Sequence, residues 1–277
     1  MKQYSKPIGK TLGFILLYLI VNVIITVVLF IALGVEDPAE VSANNITLTL
    51  LATQVIIFLG ILIIYQPGFV RHMRFKKVKP YVLFWALIVG FAGINISVLL
   101  IHFVEFLFPE AVQSYIEAIE ASIGGADLWL SFLAVALMAP LVEEIAFRGM
   151  FFRWFEKTNM RPWVIILLSG LFFGLFHLNI VQGVFASAIG IIYALGFYWT
   201  KSIWVPIAMH FGNNAFASLS VLIPEAVFEE TWFIVLSYGL ILLVPIGLWQ
   251  IKKTVGQVDD DRDEYQPIKY TLDEEEA

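Results

Sequence analysis

Residues 128–152 read LWLSFLAVALMAPLVEEIAFRGMFF, an apolar run that carries Glu143, Glu144 and Arg148 near its end. The run is long enough to cross a hydrocarbon core of about 30 Å as a helix. A charged side chain at membrane depth is costly unless it is paired or faces a polar cavity, so these three residues mark a place where the interior of the protein is polar for a reason. Working outward, the chain is 60% hydrophobic, 15% aromatic and only 14% charged over 277 residues, a composition outside the range of soluble domains. Comparable apolar runs lie near 12–34, 46–65, 81–108, 163–180, 184–200, 203–223 and 232–251. The expected fold is therefore all-α, a polytopic integral membrane helical bundle of about eight transmembrane helices within residues 1–253. Its chemical core is expected at about 128–223. The first run exceeds the apolar region of a signal peptide and no small-residue cleavage site closes it, so it is expected to be retained.

The loops set the orientation. Lys2, Lys6 and Lys10 precede the first run, and Arg71, Arg74, Lys76, Lys77 and Lys79 lie between the second and third. Arg148, Arg153, Lys157 and Arg161 surround the turn after the fourth, and Lys201, Lys252, Lys253, Arg262 and Lys269 complete the set. With eight crossings all of these fall on one side, and the other loops carry acids alone, such as Glu36, Asp37 and Glu40. Basic residues accumulate on the cytoplasmic side, so both termini are expected there, in the plasma membrane of a bacterium. Residues 254–277, rich in Asp and Glu, read as an acidic solvated cytoplasmic tail that does not pack. The absence of Cys excludes disulfides, thiolate nucleophiles and Cys-rich metal sites. No phosphate loop, dinucleotide fingerprint or nucleic-acid module is present, which leaves the lipid bilayer and its contents as partners.

Finer features fill in the bundle. Val112, Tyr115, Ile116 and Ile119 follow helical spacing ahead of Gly124 and Gly125, which predicts a short amphipathic helix on the outer surface. Gly170 and Gly174 in the fifth run, and Ala186, Gly190 and Ala194 in the sixth, are small residues at four-residue steps that let helix backbones approach. Runs four to seven are expected to form the tight core. Asn95 reads as an interhelical hydrogen-bonding residue, and His102 with Glu105 as an interfacial pair.

The chemistry-bearing residues fall in that core. Glu144 and Arg148 are four apart and can pair on one helical face, whereas Glu143 points about 100° away. His177 ends the fifth run. If the polar segment 157–162 is the turn of a hairpin centred near Met160, Glu143 and His177 are equally distant from it and come out level on facing helices. In the seventh run His210 and Asn214 are four apart on one face, with Asn213 close to it. Counting rise from the turns leaves His177 and His210 roughly 10 Å apart in depth, which tilt or an irregular connection between runs five and six has to absorb.

Glu-Glu-x-x-x-Arg at 143–148, Phe-x-x-x-His at 173–177 and His-x-x-x-Asn at 210–214, each on an apolar run and in this order, resemble the three motifs of the CAAX prenyl protease type 2 and bacteriocin-processing (Abi) family of intramembrane glutamic endopeptidases. The resemblance covers the four core runs. It implies Glu143 as the catalytic glutamate, with His177, His210 and Asn214 completing the site and Glu144 with Arg148 in support. It implies no cofactor, and a membrane-associated peptide or protein as substrate.

The same residues suit peptide hydrolysis on chemical grounds, which asks for an activated water, a stabilised oxyanion and a proton for the leaving amine. Glu143 would be the general base, with His177 polarising the same water. His210 and Asn214 would face the carbonyl oxygen. Three other readings stand beside this one. One carboxylate and two histidines suffice to bind a catalytic zinc. A membrane scaffold or bacteriocin-immunity protein would use the same fold without cleaving anything. A proton- or solute-coupled transporter would also bury Glu and His, but the polar residues cluster in runs four, five and seven and no inverted repeat is visible.

Overall fold

The computed structural model describes residues 2–35, 41–123 and 125–260. Glu36, Asp37, Glu40 and Gly124, together with 261–277 of the acidic tail including Arg262 and Lys269, lie outside the described residues.

All eight apolar runs form helices. These are α1 (Lys2–Leu33), α2 (Ala43–Ile64), α3 (Pro80–Leu107), α5 (Leu128–Glu156), α6 (Pro162–Phe176), α7 (Ile180–Thr200), α8 (Trp204–Leu219) and the pair α9 (Thr231–Leu240) and α10 (Leu243–Asp260). The amphipathic helix α4 (Pro109–Ile123) joins α3 to α5. Six spans are long and apolar enough to cross a membrane: α1, α2, α3, α5, α7 and the combined α9–α10. The other two are short. α6 has 15 residues and α8 has 16, so each reaches only about 22 to 24 Å at 1.5 Å per residue, less than a full bilayer core. The candidate site draws on both, with His177 at the C-terminal end of α6 and His210 and Asn214 in the middle of α8.

Contacts between elements bring the basic loops to one end. Arg74 pairs with Glu156 at 2.6 Å and Lys201 joins the same carboxylate at 3.4 Å. Arg153 donates to the backbone oxygen of His72, Lys10 of α1 lies over the Trp154 ring, and Lys252 of α10 lies over Trp199. At the opposite end, the Asp127 side chain caps α5 by accepting from Trp129 and Leu130 N–H, and its own N–H donates to Asn44 of α2 at 2.7 Å. The amphipathic helix packs at that end too. Val112 is buried with Val104 of α3 and Val181 of α7, so α4 covers the α6–α7 turn.

Glycines set how closely the core helices approach. A Cβ on Gly174 would lie 2.0 Å from Ser187 Oγ and 2.3 Å from Gly183 O, and one on Gly170 would lie 2.7 Å from Ser187 O, so α6 and α7 touch backbone to backbone as the small-residue spacing predicts. The sequence reading overlooked α3. A Cβ on Gly90 would fall 1.7 Å from Met209 O, and one on Gly212 would fall 2.6 Å from Leu87 O, so α3 and α8 are in the same close contact. Gly90→Ala is expected to push α8 outward and cost about 1 to 3 kcal/mol as overpacking. A thermal unfolding midpoint in detergent equal to that of the wild type would refute this.

One other expectation shifts. Asn95 Nδ2 donates to Ala92 O within its own helix, not to a neighbour. The chain also stays helical past residue 254 to Asp260, with Thr254 buried and its hydroxyl donating to Gln250 O.

Candidate active site

α5 is not a uniform α-helix. Phe132–Met138 and Ile145–Phe151 have the wider π spacing, and between them lies the α-helical stretch Ala139–Glu144 that carries both glutamates. Pro140 supplies a reason. Its ring has no N–H and would clash with the carbonyl one turn back, and a widened turn relieves that clash. In the π register Ala139 N–H bonds to Ala134 O, so the next bond would run from residue 140 to Val135 O, which proline cannot make. Asn214 Nδ2 of α8 donates to Val135 O instead, at 2.9 Å. One of the two N–H donors expected to face a substrate carbonyl is therefore spent on the helix backbone. Asn213 Nδ2 donates to Asn214 Oδ1 at 3.2 Å.

Glu144 and Arg148 form the expected pair, with neither side chain exposed to solvent. Arg148 Nη1 lies 3.0 Å from each oxygen of the Glu144 carboxylate. Its Nη2 donates to Gly190 O at 2.6 Å, and the guanidinium lies over the Phe173 ring with its carbon 4.8 Å from the centroid. Gly190 keeps this approach close, because a Cβ would press on Phe173 at 3.0 Å, Gly170 at 3.1 Å and Arg148 Nη2 at 3.2 Å.

His210 connects this pair to the second glutamate. Its Nδ1 is 3.0 Å from Glu144 Oε1 and its Nε2 is 3.9 Å from Glu143 Oε2. The ring is stacked on Tyr193 at 5.3 Å and 29°, and meets Phe173 edge-on at 5.5 Å. Glu143 and His210 are 9% and 5% exposed, and Glu143 has no Lys or Arg partner among the described residues. The two adjacent carboxylates thus divide their roles. Glu144 neutralises a buried cation, while Glu143 keeps oxygens free for something else.

His177 is placed differently from the helical count. It caps the C-terminus of α6, partly exposed, with Nδ1 2.8 Å from Phe173 O and its ring against Phe173 and Phe176. Among the described residues no hydrogen bond or ion pair joins it to Glu143; the imidazole beside that carboxylate is His210's. The π segment between Glu143 and the hairpin changes both the rise and the rotation that the level-matching argument assumed. His177 and His210 nevertheless touch the same Phe173 ring. The depth gap closes because α6 ends early and the connection is tight: Leu178 adopts a left-handed φ of 53° and Asn179 already caps α7.

Three aromatic residues complete the site: Phe173, present in the sequence only as the first residue of the Phe-x-x-x-His motif, and Tyr193 and Tyr18, which no motif singled out. Phe173 touches both histidines and Arg148, and Tyr193 stacks on His210. Tyr18 of α1 packs on Phe176 at 4.7 Å within electrostatic range of Glu143. For Tyr18 a signal existed: Tyr18 and Asn22 are four apart in an otherwise apolar helix, and Asn22 indeed bonds Thr53 of α2. Beside the site, a cavity of about 290 Å³ opens between α3, α5 and α8, with an almost wholly apolar lining that includes Pro140, Trp204 and Phe211.

A family model matches the segment that carries the two glutamates and both of these histidines. Residues 125–216 match the family described as Rce1-like, type II CAAX prenyl endopeptidase. The chain is 27% identical over 206 residues to the membrane-embedded CAAX protease MroQ of Staphylococcus aureus (strain USA300), covering 72% of this chain and 81% of that protein. It is 31% identical over 116 residues to YdiL of Bacillus subtilis (strain 168), covering 42% of this chain and 44% of YdiL, which is under half of that protein's length. Over 168 residues it is 27% identical to the UPF0177 protein YbdI of Lactococcus lactis subsp. lactis (strain IL1403), covering 58% of this chain and 87% of that protein. No solved structure matches the chain significantly.

Proposed function

Since the chain belongs to the CAAX prenyl protease type 2 and bacteriocin-processing family, and is an integral membrane protein, we propose that it is an intramembrane endopeptidase in which Glu143 activates water to hydrolyse a membrane-associated peptide or protein. The observation that carries this reading is the division of labour between neighbouring glutamates. Arg148 is taken by Glu144, and Glu143 is left buried, without a cation of its own, with the Nε2 of His210 at 3.9 Å. A buried carboxylate kept free of a permanent partner is suited to take a proton and give it back. His177, partly exposed on the other side of Phe173, and Asn214, with one amide N–H still available, complete the constellation.

The substrate class follows from position. The apolar cavity between α3, α5 and α8, lined by Pro140 of the glutamate-bearing helix and Phe211 of the histidine-bearing one, is suited to hold a hydrophobic segment of such a substrate. The location we propose is a bacterial plasma membrane with both termini cytoplasmic, supported by the basic residues gathered at one end of the bundle and by the bacterial sources of the three relatives.

Comparing peptides and membrane proteins of wild-type cells with those of cells carrying Glu143→Gln tests the proposal. An uncleaved precursor should accumulate in the variant, and a proteome indistinguishable from that of the wild type would favour a scaffold or immunity role. A zinc-dependent version of the reaction makes a different prediction. Among the described residues no three His, Asp or Glu side chains converge as metal ligands would. Cleavage is expected to survive treatment with 1,10-phenanthroline, and the purified protein to carry no stoichiometric zinc. Parallel loss of zinc and activity would overturn the metal-free reading.

A further inference from the structure

Glu144 does more than neutralise Arg148. Its carboxylate is fully buried, and each of its oxygens lies 3.0 Å from Arg148 Nη1 in a site that excludes solvent. A guanidinium nitrogen has only hydrogens to offer, so the carboxylate oxygens 3.0 Å from it meet Arg148 as acceptors. His210 Nδ1 lies 3.0 Å from one of them, Oε1, so Nδ1 must carry the hydrogen. In the neutral imidazole the other nitrogen, Nε2, is then a lone-pair acceptor, and it is the one that faces Glu143. The ring cannot easily flip out of this arrangement. Tyr193 stacks on one face and Phe173 closes its edge. Arg148, anchored by Gly190 O, holds Glu144 in place from behind.

We propose that Glu144 is a positioning residue that fixes His210 as the Nδ1–H tautomer, so that once substrate binding closes the 3.9 Å gap to hydrogen-bond distance, His210 Nε2 takes the proton from Glu143 and delivers it to the leaving amine. This rests on the peptidase reading and assigns His210 a role other than resting-state donor to the carbonyl oxygen, since Nε2 has no hydrogen to offer at the start. The steps balance. Glu143 removes a proton from water as its oxygen bonds to the carbonyl carbon, and the carbonyl π pair moves onto the oxygen. The proton passes from the Glu143 carboxyl to Nε2, leaving an imidazolium flanked by the Glu144 carboxylate. When the oxyanion re-forms the carbonyl and the C–N bond breaks, Nε2–H protonates the amine nitrogen. Water and amide are consumed, and acid and amine are formed, with both side chains returned to their starting state. The comparable arrangement in serine hydrolases shows what the orienting carboxylate contributes, because an amide in its place selects the wrong tautomer and costs about 10⁴ in turnover.

The test uses the full chain in lipid nanodiscs, labelled with ¹⁵N-histidine at near-neutral pH. In the wild type the ring-nitrogen shifts of His210, assigned by comparison with His210→Gln, should report a protonated Nδ1 and an unprotonated Nε2. In Glu144→Gln the signal should move toward the Nε2–H tautomer, while that of His177 stays where it was. Cleavage of a pool of quenched fluorescent peptides carrying an acyl anchor should fall by on the order of 10²- to 10⁴-fold in kcat, with KM changed only a few-fold. A wild-type His210 protonated on Nε2 would overturn the proposal, and this reading needs no variant to fold. So would a folded Glu144→Gln protein with wild-type kcat. Full activity of Glu143→Gln would instead sink the peptidase reading itself, while the tautomer measurement still reports on Glu144 and His210 separately.

Discussion

Glu143→Gln should abolish most peptide cleavage, by on the order of 10²- to 10⁴-fold, the usual contribution of a positioned general base. Glutamine preserves the volume and one acceptor oxygen but cannot take a proton from water. The substitution should leave the fold intact because Glu143 stabilises no buried cation: Arg148 is satisfied by Glu144 and Gly190 O, and the imidazole nitrogen facing Glu143, His210 Nε2, stands 3.9 Å away. Replacing a buried ionisable group by its neutral isostere removes a desolvation cost and gives up little in return. The expected pattern is therefore a protein with wild-type expression and unfolding midpoint and almost no turnover on acyl-anchored peptides. A Glu143→Gln protein that cleaves at the wild-type rate would refute Glu143 as the base, and one that no longer folds would show that the carboxylate is structural.

How far this site could be read from residues alone depended on whether the helix was regular. The eight apolar runs and their charge segregation were legible because a bilayer imposes length and sidedness directly on sequence. The Glu144–Arg148 pair was legible too, since a four-residue step still brings the two side chains together where it runs into the π segment 145–151. What failed were arguments that carried rise and rotation across Pro140 and residues 145–151. The widened turns there brought His210, and not His177, to Glu143. The same irregularity gives Asn214 its partner: the free carbonyl of Val135 exists only because residue 140 is proline, a consequence that no spacing rule applied to Asn214 itself would reveal. α3 stayed invisible for a different reason. Gly90 and Gly93 are isolated small residues in a long apolar run, and only the three-dimensional approach of Met209 shows what Gly90 is for.

The largest effect on stability is expected from Arg148→Met. Removing the guanidinium leaves the Glu144 carboxylate with no solvent and no cation, and breaking a buried pair by deleting one partner costs about 3 to 5 kcal/mol. Methionine fills much of the volume and keeps contact with Phe173, so little of the loss should come from a cavity. The apparent unfolding midpoint should fall by on the order of 10 °C, given about 2 to 4 °C per kcal/mol for a chain of this size. The double variant Glu144→Leu/Arg148→Met provides the decisive comparison. With both charges gone only the hydrogen bonds to Gly190 O and His210 Nδ1 are lost, so stability should recover well above that of the single variant, since apolar replacement of a whole buried pair is often neutral or better. Activity should not return with it, because His210 Nδ1 would have lost the acceptor 3.0 Å away that holds the ring. Recovery of both would reduce Glu144 and Arg148 to a packing element. A single Arg148→Met variant as stable as the wild type would mean that the ion pair does not hold the core together at all.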